Sequence, residues 1–70
     1  MNNEFIDFKK DVLKDMRELL KLSPDGVQPH IRRTINSFNN NRFNDTIEES
    51  INQGGTPSDC VDLLLQISNY

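Results

Sequence analysis

The feature that most constrains this chain is the regular spacing of apolar residues over its first 22 positions. With successive residues set about 100° apart around a helix, the apolar side chains gather in an arc of about 160°. Charged residues fill the rest of the circle, and Lys9 is the one charge inside the apolar arc. Strand-like alternation fits these positions poorly. The spacing therefore predicts a long amphipathic α-helix over residues 3–22.

Turn-forming residues predict where that helix stops and where a second one begins. The tetrapeptide Ser23-Pro24-Asp25-Gly26 ends the first helix, because a proline disfavours helical backbone at the residue before it and Asp and Gly suit turns. Pro29 fits the first turn of a helix, where its missing N–H is not needed. The apolar stripe that follows is narrow, so we expect an exposed second helix over residues 28–40.

Three consecutive asparagines at positions 39–41 interrupt the pattern, because Asn favours caps and turns over helix interiors. Apolar spacing resumes at Phe43 and predicts a short third helix over residues 45–53, which Gly54-Gly55 ends. The alternative is that residues 39–44 only kink one continuous helix.

The clearest boundary in the chain lies at the start of the last segment. Thr56 suits an N-cap, Pro57 suits the first helical position and Asp59 suits the first turn. The apolar residues that follow cover about 220° of the helix circle. A fourth helix is predicted over residues 57–69, and its wide apolar face indicates a central position or an interface.

The chain has 70 residues, which is enough for one small domain whose core is marginal in size. We therefore predict a single all-α mini-domain over residues 1–70, a bundle of four helices. The first and last helices should form its core, with the middle two covering it.

Composition argues against several classes of protein. A single cysteine cannot form a disulfide within the chain, and no apolar stretch approaches the length of a membrane span. No basic start followed by an apolar run marks a secretory signal. The expectation is a cytoplasmic protein that does not enter a membrane, and its motifs indicate no known family.

Cys60 and His30 are the only soft metal ligands, and they belong to different predicted helices. No nucleophile motif or glycine-rich phosphate loop accompanies them. Cys60 falls on an apolar face and is interpreted as a small buried hydrophobe, whereas His30 is expected to face solvent. The sequence therefore predicts neither an enzyme nor a metal or cofactor site.

Apolar surface in excess of what a small bundle needs points to association. The first and last helices have wide apolar faces that can pack together and still leave surface uncovered. We expect this surface to serve as a homo-oligomer seam, most simply of a dimer, or as a partner site, built from Phe5, Phe8, Val12, Leu63, Leu64 and Ile67.

Charge is distributed unevenly along the chain. Residues 1–22 are balanced, residues 23–43 carry a net charge of +2, and residues 44–70 carry −5, which gives the overall −3. The acidic last third, with Asp45, Glu48 and Glu49 in its first helix, suits a basic partner. The leading hypothesis is a small self-associating regulator or inhibitor that binds another protein through apolar and acidic surfaces.

An alternative interpretation uses the basic middle third. The side chains of His30, Arg32, Arg33 and Arg42, with the neighbouring asparagines, could contact phosphates or base edges of a nucleic acid or nucleotide. An acidic chain with a pI of about 4.9 offers few such contacts per subunit.

Overall fold

The computed structural model describes residues 3–68, which form four α-helices and, within that range, no strand. The helices are α1 (Asn3–Leu22), α2 (Gln28–Asn39), α3 (Asn44–Asn52) and α4 (Pro57–Ile67). The all-α four-helix bundle is confirmed. The predicted bounds differ by one or two residues at most, and the predicted final position of the last helix, residue 69, lies outside the described residues.

The longest helix, α1, contacts each of the other three helices. The α2 helix runs antiparallel to it, because the Gln28 side chain at the start of α2 donates to the Leu20 carbonyl near the end of α1 (3.3 Å). At the other end, Lys9 of α1 reaches Asn41, just beyond α2 (3.2 Å).

The other two helices lie along α1 one after the other. Phe5, near the start of α1, shares a groove with Ile51 of α3. Farther along, α1 packs against α4, where Asp15 accepts a hydrogen bond from Ser58 (3.4 Å) and Leu19 shares a groove with Val61. The bundle measures 39 × 22 × 20 Å.

Every helix contributes to the core, because each presents an apolar stripe to its neighbours. The buried residues are Val12, Met16, Ile31, Thr34, Phe38, Phe43, Ile47, Cys60, Val61 and Leu64. Thr34 is the one polar residue among them, and its hydroxyl donates to the His30 carbonyl one turn earlier (3.0 Å). Its burial therefore leaves no unpaired hydroxyl.

The break after α2 is a true helix end, so the kinked-helix alternative is wrong. Asn41 has a φ of 61°, in the left-handed region that a continuous helix cannot contain. Its N–H bonds the Phe38 carbonyl (3.1 Å), and the Arg42 N–H bonds the Ser37 carbonyl (3.1 Å). This is the Schellman arrangement, with Asn in the place usually taken by Gly.

The same arrangement ends α3. Gly54 has a φ of 75° and its N–H bonds the Ile51 carbonyl (3.0 Å), while Gly55 bonds the Ser50 carbonyl (2.8 Å). The predicted stop at Gly54-Gly55 is thus confirmed with its mechanism. The predicted start of α4 is confirmed as well, because the Thr56 hydroxyl accepts from the Asp59 N–H (3.2 Å).

Candidate interaction surfaces

The first turns of α1 form the apolar centre of two adjoining grooves. One groove, between α1 and α3, is lined by Phe5, Glu48, Ile51 and Asn52. The other, between α1 and α2, has a volume of about 260 Å³ and is mainly apolar. We call it the basic groove; it is lined by Phe5, Ile6, Lys9, Lys10, Leu13 and Phe38. Phe5 belongs to both grooves, and Ile6 beside it is 50% exposed.

The contacts of the Lys9 ammonium explain why a charged residue lies inside the apolar arc of α1. Its ammonium lies 5.3 Å from the ring centre of Phe5 and 5.6 Å from that of Phe38, within the range of cation–π attraction. It also donates to the side-chain oxygens of Asn41 (3.2 Å) and Asn44 (3.1 Å). One cation thus ties α1 to the turn between α2 and α3.

The predicted acidic residues of α3 are all exposed. Asp45, Glu48 and Glu49 share one side of the helix, because positions three and four apart are neighbours on a helix surface. Glu48 lines the groove that also contains Phe5. The structure therefore brings one predicted acidic residue and one predicted apolar residue together.

Charge on α1 is sorted by sign around the helix. The basic stripe occupies an arc of about 60° at 100° per residue and consists of Lys10, Lys14, Arg17 and Lys21. The acidic stripe occupies an arc of about 80° and consists of Glu4, Asp7, Asp11, Asp15 and Glu18. The two stripes adjoin on the solvent side of α1, where the directions of Lys14 and Asp7 differ by about 20°, and the apolar face separates their outer edges.

Tertiary packing extends this separation beyond α1. On the basic side, Arg17 shares a groove with Arg32 of α2. On the acidic side, Asp15 and Glu18 share a groove with Ser58 of α4, a helix that carries acidic residues and no Lys or Arg. The basic stripe of α1 therefore lies next to the basic helix α2, and the acidic stripe lies next to the acidic helix α4.

The predicted apolar contact set divides into three groups. Val12 and Leu64 are 0% exposed, and the prediction that they contribute to a contact surface is corrected, because the packing of α1 against α4 encloses them. Phe5 and Phe8 are half-buried against the core. The exposed members are Leu63 (40%) and Ile67 (37%), which lie one turn apart on the same side of α4.

His30 takes a different position from the one predicted. It is half-buried, and its Nε2 donates to the Leu65 carbonyl at 3.1 Å. The last carbonyls of a helix lack partners within that helix, so this contact from α2 satisfies one of them in α4. His30 therefore serves packing between helices, and its prediction as an exposed phosphate ligand is corrected.

The arginines of the alternative site remain on the surface. Arg32 and Arg33 are exposed on α2, and Arg42 is exposed beyond its end. Arg32 lines the same groove as Arg17 of α1, a residue that the sequence interpretation had left out. The spacing of the basic residues in α1 could have predicted this basic surface. The net charge of α1 does not reveal it, because the acidic and basic residues of the helix sum to zero.

Cys60 lies in the core, as predicted, and is 1% exposed. Burial raises the pKa of its thiol, and a side-chain hydrogen bond with Ser50 of α3 acts in the opposite direction. Between Asn3 and Ser68, no group of three or more His, Cys, Asp or Glu side chains could hold a metal ion.

Over the same described range, none of the helices has the length and apolar character needed to cross a membrane. Comparison with protein-family models, with curated proteins and with solved structures found no match. The surfaces described above are therefore interpreted from their own chemistry.

Proposed function

We propose that this protein is a small non-catalytic protein-interaction module, a regulator or inhibitor that contacts its partner through the beginning of α1. The observation that carries this proposal is the position of Phe5, which lines two adjoining grooves. The exposed carboxylate Glu48 lines one groove, and the exposed cation Lys10 lines the other together with Lys9.

This arrangement matches the anatomy of protein interfaces. Such interfaces have an apolar centre, in which aromatic side chains are enriched, and a polar rim. Ile6 is half-exposed beside Phe5, so an apolar side chain of a partner would remove it from water. Rim charges of opposite sign on the two sides would fix the partner's orientation.

The two side chains best suited to nucleophilic or acid–base chemistry, Cys60 and His30, support a non-catalytic role. Both are held in contacts between helices. Cys60 is buried beside Ser50, and its raised pKa disfavours the nucleophilic thiolate. The Nε2 of His30 is bound to the Leu65 carbonyl.

The test is site-specific photo-crosslinking in the cells that make the protein. A photoreactive amino acid replaces Ile6 in one sample and Leu22 in a matched control, since Leu22 is an apolar residue of α1 that is 85% exposed. We expect a discrete crosslinked protein from position 6 that position 22 does not yield. Identical products from both positions, or no product from position 6, would contradict the proposal.

A second candidate, binding of nucleic acid or nucleotides, is favoured by one specific observation. The basic stripe of α1 and Arg32 of α2 form one positive surface on an acidic protein, because Arg17 and Arg32 share a groove. A row of cations along a helix is a typical footprint of phosphate-backbone contact.

The discriminating measurement is fluorescence anisotropy with labelled RNA, DNA and nucleoside triphosphate at low and moderate salt. We expect binding that weakens steeply with salt, as counterion release requires. The Arg17→Glu, Arg32→Glu double variant should abolish it, and the matched Arg33→Glu, Arg42→Glu variant should have a smaller effect. Salt-independent binding, or equal losses in the two variants, would refute this candidate.

A further inference from the structure

The basic groove has features that restrict what can occupy it. Its lining is mainly apolar, with Ile6 half-exposed; Lys10 is exposed at its rim, and the ammonium of Lys9 lies over the rings of Phe5 and Phe38. A fitting occupant presents exposed aliphatic side chains next to carboxylates, because unlike charges would then meet at the rim.

The chain itself carries such an element. Leu63 and Ile67 form an exposed aliphatic pair one turn apart on α4, which we call the α4 ridge. Asp59 precedes Leu63 by one turn on the same side of the helix. The described part of α4 contains no Lys or Arg, so its charge complements the rim of the basic groove.

The groove and the ridge of one molecule lie toward opposite ends of the bundle. The groove lies by the first turns of α1 and by Phe38 near the end of α2. The α4 ridge lies beside Leu65, which contacts His30 in the first turn of α2. The groove and the other end of α1 are separated by roughly 20 Å of helix rise. Since Val61 and Leu64 anchor α4 in the core, the ridge cannot reach its own groove.

We propose that the α4 ridge of one copy docks into the basic groove of a second copy, with Leu63 and Ile67 against Ile6 and Asp59 near Lys10. This inference rests on the proposed function and identifies the partner as the chain itself. The two surfaces differ, so a single contact between two copies leaves the ridge of one copy and the groove of the other free. An antiparallel pair can repeat the contact about a twofold axis and close as a dimer, and any other arrangement continues into a ring or a chain.

The test combines sedimentation equilibrium with complementary charge reversals. The wild-type mass should rise from that of a monomer to that of a dimer or a larger assembly as concentration increases. Lys10→Glu and Asp59→Lys should each weaken self-association at least about tenfold, because each places like charges at the contact. An equimolar mixture of the two variants should regain association, since the carboxylate introduced at position 10 of one variant then meets the ammonium introduced at position 59 of the other. A folding defect could not produce this recovery.

Leu22→Lys is the matched control, because it removes the most exposed leucine from a position outside the contact. It should leave association unchanged, whereas Leu63→Lys should abolish it. A wild-type protein that stays monomeric at millimolar concentration, or a mixture that fails to recover, would overturn the inference. A monomer that still yields a different protein from the position-6 crosslink would overturn self-association and leave the proposed function standing.

Discussion

Replacing Lys9 with Met tests the role of the one cation in the apolar arc of α1. Methionine keeps the length of the side chain but cannot attract the rings of Phe5 and Phe38 or donate to Asn41 and Asn44. A cation–π contact at a partly exposed site contributes about 0.5–1 kcal/mol. We take about 1 kcal/mol for the two rings together, because they share one charge.

The two hydrogen bonds of Lys9 add about 0.5–1 kcal/mol in total, discounted because one of them is exposed. The thioether of Met regains about 0.5 kcal/mol by contact with the aromatic rings. We therefore expect Lys9→Met to lower the free energy of unfolding by about 1–1.5 kcal/mol, which corresponds to a fall of about 4–12 °C in Tm for a domain of this size.

Urea unfolding followed by far-UV circular dichroism measures this loss, since the chain has no Trp for a fluorescence assay. Lys10→Met is the matched control and should change stability by less than about 0.5 kcal/mol, because Lys10 is exposed. In a double-mutant cycle, Lys9→Met and Asn44→Ala should be less than additive. Equal stability of the two Met variants, or full additivity in the cycle, would refute the reasoning.

Three further predictions concern the ends and the core of α4. Thr56→Ala removes an N-cap acceptor and should cost about 1 kcal/mol in urea unfolding; a loss below about 0.3 kcal/mol would show that the cap is not needed. His30→Ala removes the side-chain hydrogen bond to the Leu65 carbonyl and should cost about 1 kcal/mol, with amide exchange accelerated near the end of α4 before the start. Uniform acceleration would contradict a local role. The raised pKa of Cys60 means that the folded state holds the proton more tightly, so its contribution is complete below the ordinary thiol pKa and is lost as pH rises above it. Wild-type stability should fall more steeply than that of Cys60→Ala above about pH 9, and parallel curves would refute this.

Much of the fold could be predicted because its signals are local. The Thr56-Pro57 start and the Gly54-Gly55 stop act through backbone groups within one turn of themselves. The break at Asn41 was harder to predict, because Asn tolerates the left-handed region and also occurs within helices. Its hydrogen bonds decide between a kink and an end.

The burial of each apolar residue could not be predicted. The spacing of apolar residues identifies the apolar face of a helix but not which neighbouring helix covers each part of that face. Leu63 and Leu64 are adjacent and equally apolar, yet one is 40% exposed and the other fully buried. Successive residues point about 100° apart around α4, and which of the two is enclosed depends on how all four helices pack together. His30 turned inward for the same reason, since its partner lies 35 residues away in the chain.

The sorting of charge on α1 connects the proposals made above. The net charge of α1 is zero, but the helix carries adjoining basic and acidic stripes, and the outer edge of each stripe shares a groove with a neighbouring helix. Such a molecule presents opposite potentials to partners that approach from different directions, whatever its overall charge. Lys10 belongs both to the basic stripe and to the basic groove. A second copy and a phosphate backbone would therefore compete for the same cation, and we expect a polyanion that binds this side to disperse assemblies that form through Lys10.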